Sequence, residues 1–321
     1  MGETTTKPKD PKSNAVIITG MHRSGTSLTA SILQKAGVDI GERLLGAGLG
    51  NVRGHFEDVD FWSLHKEILI SQGISSEGWT TLSKIDVPDQ FITKAKALCD
   101  ERTQQGGVWG WKEPRTTLFL DFWKEIIPNA KYVFVYREPW EVVDSLFLRG
   151  DGAFINNPSL AVHSWVAYNT AILNFYKLNS DSAVLIHLNH LQGKAFEFMS
   201  LVKEKLQLEI LPVEEELYDG NLIHRNKFAD YRVALLCYFY PNVIDIFDSL
   251  NAVADLPLQN NQTELNSPLH LFQDWALQDW FSAHRLAREQ SQLQQTQSQL
   301  QQTQSQLQQT QSLLQSQLQE A

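Results

Sequence analysis

The chain is short of cysteine, of basic residues and of long hydrophobic runs, and each shortage excludes something. Two cysteines in 321 residues, Cys99 and Cys237, cannot build a disulfide framework and show no metal-ligand spacing. Both read as reduced packing residues. Lys and Arg number 27 against 37 Asp and Glu, a net charge of −10. A general nucleic-acid binder needs the opposite balance to neutralise phosphates. The longest apolar runs, such as Val233 to Tyr240, fall far short of the ~20 residues that a membrane span requires. The start, Met1 to Asn14, is polar and rich in Pro and Lys, without the apolar centre of a secretion signal. A cytoplasmic protein is expected.

What remains is ordinary globular material, 42% hydrophobic and 20% charged, long enough for a sizeable core. Composition divides it into a disordered tail over residues 1–13, a domain over 14–255, a linker with a short helix over 256–284, and a Gln-rich tail over 285–321. In that last zone QSQLQQT occurs three times without change from Gln290 to Thr310, and Leu286, Leu293, Leu300, Leu307 and Leu314 recur at seven. Seven is the period of a left-handed coiled coil. Each heptad offers one strong apolar residue rather than two, so a weak homo-oligomerising helix and a solvated low-complexity tail both fit.

Within the domain, short apolar runs alternate with helix-period stretches, which predicts an α/β fold: a three-layer, P-loop-like domain with a central parallel sheet. Ala15–Thr19, Val108–Trp111, Tyr132–Tyr136 and Ala183–Leu188 are the expected strands. A helix follows the first and ends near Gly37. Another has Pro139 in its first turn, and a third runs from about Lys194 to Leu206. Residues 160–178 carry a helical stripe of Trp165, Tyr168, Ile172, Phe175 and Tyr176, which reads as core.

The loop between the first strand and its helix, Gly20-Met21-His22-Arg23-Ser24-Gly25-Thr26-Ser27, has the glycine spacing of a phosphate-binding turn. Glycines allow the tight turn, backbone N–H groups converge on an anion, and the helix N-terminus adds positive potential. A nucleotide triphosphatase would carry Lys after the second glycine; here that position is Thr26, and the basic residue is Arg23 inside the loop. The third strand ends in Arg137 rather than in an acidic metal ligand. A cation at that sheet edge suggests a second anion site, with a plain pairing to Glu138 or Glu141 as the alternative.

Residues 16–28 and 132–149 resemble the two signature segments of sulfotransferases that use 3′-phosphoadenylyl sulfate (PAPS). The resemblance implies that Arg23, Ser24, Gly25, Thr26 and Ser27 hold the 5′-phosphosulfate, and that Arg137 and Ser145 hold the 3′-phosphate. Trp111-Lys112-Glu113-Pro114-Arg115 is similar to the Lys-acid-Pro segment of tyrosylprotein and bacterial members, in which the Lys lies beside the leaving group. Asn51-Val52-Arg53-Gly54-His55-Phe56-Glu57-Asp58 is similar to an N-x-x-G-x-x-E stretch of bacterial members. Where many relatives carry an acidic residue after the fourth strand, this chain reads Asn189-His190. The glycine-rich C-terminal segment of cytosolic sulfotransferases is not evident.

That chemistry needs cations where negative charge builds as the bond to the leaving phosphate breaks, and Lys112 and Arg23 are the candidates. It also needs a base for the acceptor hydroxyl. Glu57 is the first candidate, a capping carboxylate beside Asp58 and Asp60 being the plainer alternative; His55 and Glu42 follow. His65 reads as a packed or surface histidine, His22 as loop-shaping or substrate-facing, and Arg115 as an anion ligand or a structural ion pair. The expected acceptor is a small-molecule or glycan hydroxyl, with no metal required. A kinase using Mg-ATP and a non-catalytic nucleotide-binding assembly protein are the competing readings.

Overall fold

The computed structural model describes residues 15–46, 55–191, 195–212 and 231–258, and within the tail residues 279, 286, 289, 290 and 292–311. The chain divides into two units, Met1–Phe228 with Leu236–Thr263, and Ala229–Leu235 with Glu264–Ala321. Asn51 to Gly54 of the segment before His55 lie outside the described residues.

In the first unit, β1 (Ala15–Thr19) leads into α1 (Thr26–Lys35). Two helices, α2 (Val59–Ser71) and α3 (Gln90–Gln104), precede β2 (Trp109–Lys112). A 3-10 turn at Pro114–Phe119 runs into α4 (Leu120–Ile126), then β3 (Lys131–Tyr136), α5 (Pro139–Arg149), α6 (Gly152–Asn156) and α7 (Ser159–Asn179). After β4 (Ala183–His187) come α8 (Ala195–Leu206), α9 (Tyr231–Phe239), whose residues up to Leu235 belong to the second unit, and α10 (Pro241–Val253). All described pairings in the sheet are parallel, in the order β2-β1-β3-β4. The fold is α/β, as the alternation of runs predicts.

The sheet is buried on both faces, which is why its strands read as continuous apolar runs. Side-chain alternation sorts them by size. Ile17, Trp111, Tyr132, Phe134 and Leu185 face one layer with residues of α2, α3 and α7, whereas Val16, Ile18, Val133, Val135 and Ile186 face the other, with residues of α1 and α8. The aromatic side needs the wider layer: Phe61 stacks on Trp111 with ring centroids 4.0 Å apart, and Trp123 packs against both.

Three strands differ from the sequence reading by one residue at an end: β2 begins at Trp109 and includes Lys112, β3 begins at Lys131, and β4 stops at His187. Lys112 is therefore the last strand residue, at the C-terminal edge where α/β folds bind ligands. Gly110 lets β2 lie against β1, since a Cβ there would sit 1.9 Å from the Val16 carbonyl oxygen. At the other edge, Leu256 forms a parallel bridge to Ile186.

In the tail, residues 292–311 are helical and exposed throughout. Thr296, Thr303 and Thr310 each donate their hydroxyl to the carbonyl four residues back, at Gln292, Gln299 and Gln306.

Candidate active site

β1 ends in a turn closed by Ser24 N–H donating to the Met21 carbonyl (3.1 Å). Arg23 adopts φ 67 and Gly25 φ 96, so the loop holds a non-glycine residue in the left-handed region just before the helix. No side chain caps α1 and its first turn carries no acid. The opening N–H groups of a helix have no intrahelical partner and attract negative charge. Ser24 is fully buried, and its hydroxyl finds no partner among the described residues. Thr26 is buried as the first helical residue.

Cations from three elements converge here. Arg23 Nε donates to Ser145 Oγ on α5 (2.7 Å). Arg137, at the end of β3, donates to the Arg23 carbonyl (3.3 Å) and to Glu141 Oε2 (2.8 Å). Arg149, on the last turn of α5, bonds Asp151 through Nε (2.8 Å) and lies 5.1 Å from the Trp79 ring centre. Burial first, then Arg149 and Arg137, lower the Arg23 pKa. A guanidinium whose charge is disfavoured by its neighbours is a place where an anion is welcome.

On the opposite flank, Lys112 is 2% exposed and donates to Glu57 Oε1 (2.9 Å) and to the His55 carbonyl (2.9 Å). Ser27 on α1 donates to that same carbonyl (3.1 Å). The Lys112–Glu57 pair is thus tied to the first turn of the loop helix through one backbone oxygen. Phe56, with φ 56, makes the bend between His55 and Glu57. The capping role that competed for Glu57 belongs to its neighbour: Asp58 accepts from Asp60 N–H at the start of α2 (2.8 Å) and pairs with buried Arg102 (2.8 Å).

His55 reaches the group through its backbone carbonyl; its ring pKa is lowered, chiefly by burial, with Glu57 opposing and Lys112 adding. Glu42 is exposed. Gly41 beside it packs against Asp58, where a Cβ would meet Oδ2 at 2.0 Å. Arg115 forms ion pairs with Glu113 (2.6 Å) and Glu77 (3.0 Å) and donates to the Ser76 carbonyl (2.9 Å).

The sequence reading assigned no role to Glu113 or Arg149, and named Glu141 only as an alternative partner of Arg137, a pair that does form (2.8 Å). Glu113 is fully buried between Arg115 and His65 Nδ1 (2.7 Å), and Trp123 Nε1 donates to His65 Nε2 (2.9 Å). Because the indole only donates, Nε2 must accept, and the His65 proton sits on Nδ1, aimed at Glu113. Burial opposes the Glu113 charge, yet Arg115 and the His65 hydrogen bond outweigh it and bring its pKa down to about 2. Glu141 goes the other way: burial pushes its carboxyl up to about 7, against the pull of Arg137. Arg149 had a signal, since it lies one helical turn after Ser145 and so shares its face.

Among the described residues no group of three or more His, Cys, Asp or Glu side chains is arranged to hold a metal ion. No single helix among them is long and apolar enough to cross a membrane.

No family model and no curated protein matches the chain. Among solved structures, it is similar to the sulfotransferase domain from the Synechococcus PCC 7002 olefin synthase, with a TM-score of 0.43 and 17% identity over 78% of this chain and 99% of that one. It is also similar to a sulfotransferase from Alicyclobacillus acidocaldarius, with a TM-score of 0.40 and 13% identity over 76% and 96%.

Proposed function

We propose that the chain moves a sulfuryl group from PAPS to an acceptor hydroxyl on a small molecule or glycan. The observation that carries this reading is the buried Lys112–Glu57 pair, linked to the first turn of an uncapped helix through the His55 carbonyl. The donor's two anionic ends fit the residues present. The orphaned Ser24 hydroxyl, the α1 N-terminus and Arg23 suit the phosphosulfate; Arg137 and Ser145, which both touch Arg23, suit the 3′-phosphate. When bound, PAPS supplies the sulfuryl group and a phosphate leaving group.

The chain's own residues then divide the work. Lys112 and Arg23 hold positive charge where negative charge develops on the leaving oxygen, a role worth on the order of 3 kcal/mol per donor. Glu57 accepts the proton of the acceptor hydroxyl, having exchanged its Lys112 partner for that hydrogen bond. The backbone of the loop orients the anion without needing to reorganise. This reading includes a cytoplasmic location and excludes a nucleic-acid partner, in keeping with the acidic balance.

Calorimetric titration of the whole chain with 3′-phosphoadenosine 5′-phosphate (PAP), beside ATP alone and ATP with Mg²⁺, tests it. The expected result is metal-independent PAP binding that Arg137→Ala abolishes, together with sulfuryl transfer that Lys112→Ala slows on the order of a hundredfold or more. Metal-dependent ATP binding without PAP binding would instead establish a kinase. PAP binding without turnover would leave a nucleotide sensor.

A further inference from the structure

His22 sits in the phosphate-binding loop between Met21 and Arg23, is 8% exposed, and has an Nε2 without a partner among the described residues. Its ring packs against Trp79 (centroids 4.8 Å apart) and edge-on to Tyr168 (5.9 Å). Leaving a buried polar atom unpaired destabilises a fold, and a native fold keeps such an atom for a reason. The same loop keeps a second one, Ser24 Oγ. Two orphaned polar atoms within three residues of one turn point to a shared partner that is itself rich in acceptor oxygens.

We propose that His22 is an anion-contacting residue of the loop, which takes up a proton from solvent when a sulfate-like group binds and donates Nε2–H to it. The inference rests on the loop's part in the functional reading above.

The charges around the ring explain the coupling. Arg23 faces it from the loop itself, Lys112 from the end of β2, Arg115 from the turn that follows, and Arg149 from α5; Tyr168 on α7 and Trp79 add no charge. Burial first, and then these four cations, lower the imidazole pKa well below its ordinary 6.5, which favours the neutral ring. A dianion cancels much of the surrounding positive charge. Imidazolium then becomes the favoured form, and the ring changes from an orphan into a charge-assisted donor. The proton comes from solvent, so binding must tighten as the pH falls.

Inorganic sulfate is the probe, because it does not titrate between pH 6 and 8. Binding to the intact chain is measured by calorimetry in buffers of different ionisation enthalpy, which counts the protons taken up. The wild type is expected to gain affinity by up to about tenfold per unit of falling pH, the limit for one linked proton. His22→Gln should lose the His22 share of that slope and keep only what Glu141, with its carboxyl pushed up to about 7, contributes. Ser24→Ala should bind more weakly with the slope intact, and Glu141→Gln should retain the part due to His22. An equal proton count in wild type and His22→Gln, or no sulfate binding at all, overturns the proposal. If His22→Gln does not fold, ring ¹⁵N spectra of the nine histidines in the wild type decide. A ring that becomes cationic on adding sulfate supports the proposal, and none doing so sinks it. PAP binding without His22-linked protons would refute this inference alone; His22-linked sulfate binding without PAP binding would refute the PAPS reading alone.

Discussion

Replacing Glu113 with Gln should cost the fold about 3 kcal/mol, although it changes one atom in a residue that never meets solvent. The carboxylate is 0% exposed, accepting from Arg115 Nη1 at 2.6 Å and from His65 Nδ1 at 2.7 Å. An amide can serve one of these donors, but its NH₂ then faces the other. The negative charge opposite Arg115 disappears as well. Breaking a buried pair typically costs ~3–5 kcal/mol. The lower end applies because Arg115 retains Glu77 and the Ser76 carbonyl. The direction of the Glu113 pKa agrees: against the burial that would raise it, Arg115 and the His65 hydrogen bond hold it below the ordinary carboxylate range. At ~2–4 °C per kcal/mol for a domain of this size, Tm should fall by roughly 6–12 °C at pH 7. The pH dependence provides the sharper check. Because the folded carboxyl titrates lower than the unfolded one, its contribution is complete above pH 4.5 and is lost as the pH falls toward 2. Calorimetric melts of wild type and variant should therefore converge across that window. A Tm loss under about 2 °C, or a gap that stays constant with pH, would refute the assignment of Glu113 as the charged hub beneath the site.

Other expectations follow from single contacts. Lys112→Ala should lower kcat on the order of a hundredfold or more and also destabilise the fold by leaving Glu57 without its buried partner, whereas Glu57→Gln should lower kcat with a smaller loss of stability; steady-state rates and melts on the same samples separate the two. Glu141→Gln should tighten PAP binding by roughly threefold at pH 8, the scale of a partly exposed charge pair. The gain should fade below pH 7, where the wild-type carboxyl, pushed up to about 7, is already protonated. Gly20→Ala should cost at least ~1–3 kcal/mol in denaturant melts, because its Cβ would lie 2.3 Å from the Val135 carbonyl oxygen, a backbone atom with little room to yield. Finally, we propose that the tail heptads join copies of this chain: Leu293, Leu300 and Leu307 are 62%, 58% and 58% exposed. Changing all three to Gln should reduce the solution mass to that of a single chain, and an unchanged mass would sink the idea.

The features legible in the sequence are those whose physics is local. A buried run, two glycines five positions apart and a helix-period stretch are enough to place the loop from Gly20 to Ser27, because turn and helix-start geometry are set within a few residues. Arg137 was readable for the same reason, as the residue that ends an apolar strand, and its Glu141 partner lies one helical turn away. The strand edges near Lys112 and His187 were each misplaced by one residue. Composition marks where apolar residues stop, while pairing with the neighbouring strand decides where the ladder stops.

Most of the electrostatic design was illegible because it is assembled by topology. Glu113 meets His65 across 48 residues and His65 meets Trp123 across 58; no spacing rule connects them. Arg102 lies on a helix of mostly polar residues, and only the fold sets it against Asp58. The order β2-β1-β3 does the decisive work: it puts the loop at the end of β1 between Lys112 at the end of β2 and Arg137 just past the end of β3. Three segments, each suggestive of anion binding on its own, thereby become one cationic edge. Had β2 and β3 been neighbours, the same motifs would have survived in the sequence with Lys112 and Arg137 both on one side of the loop. The motifs therefore specify the groups, and the strand order brings them to one edge of the sheet.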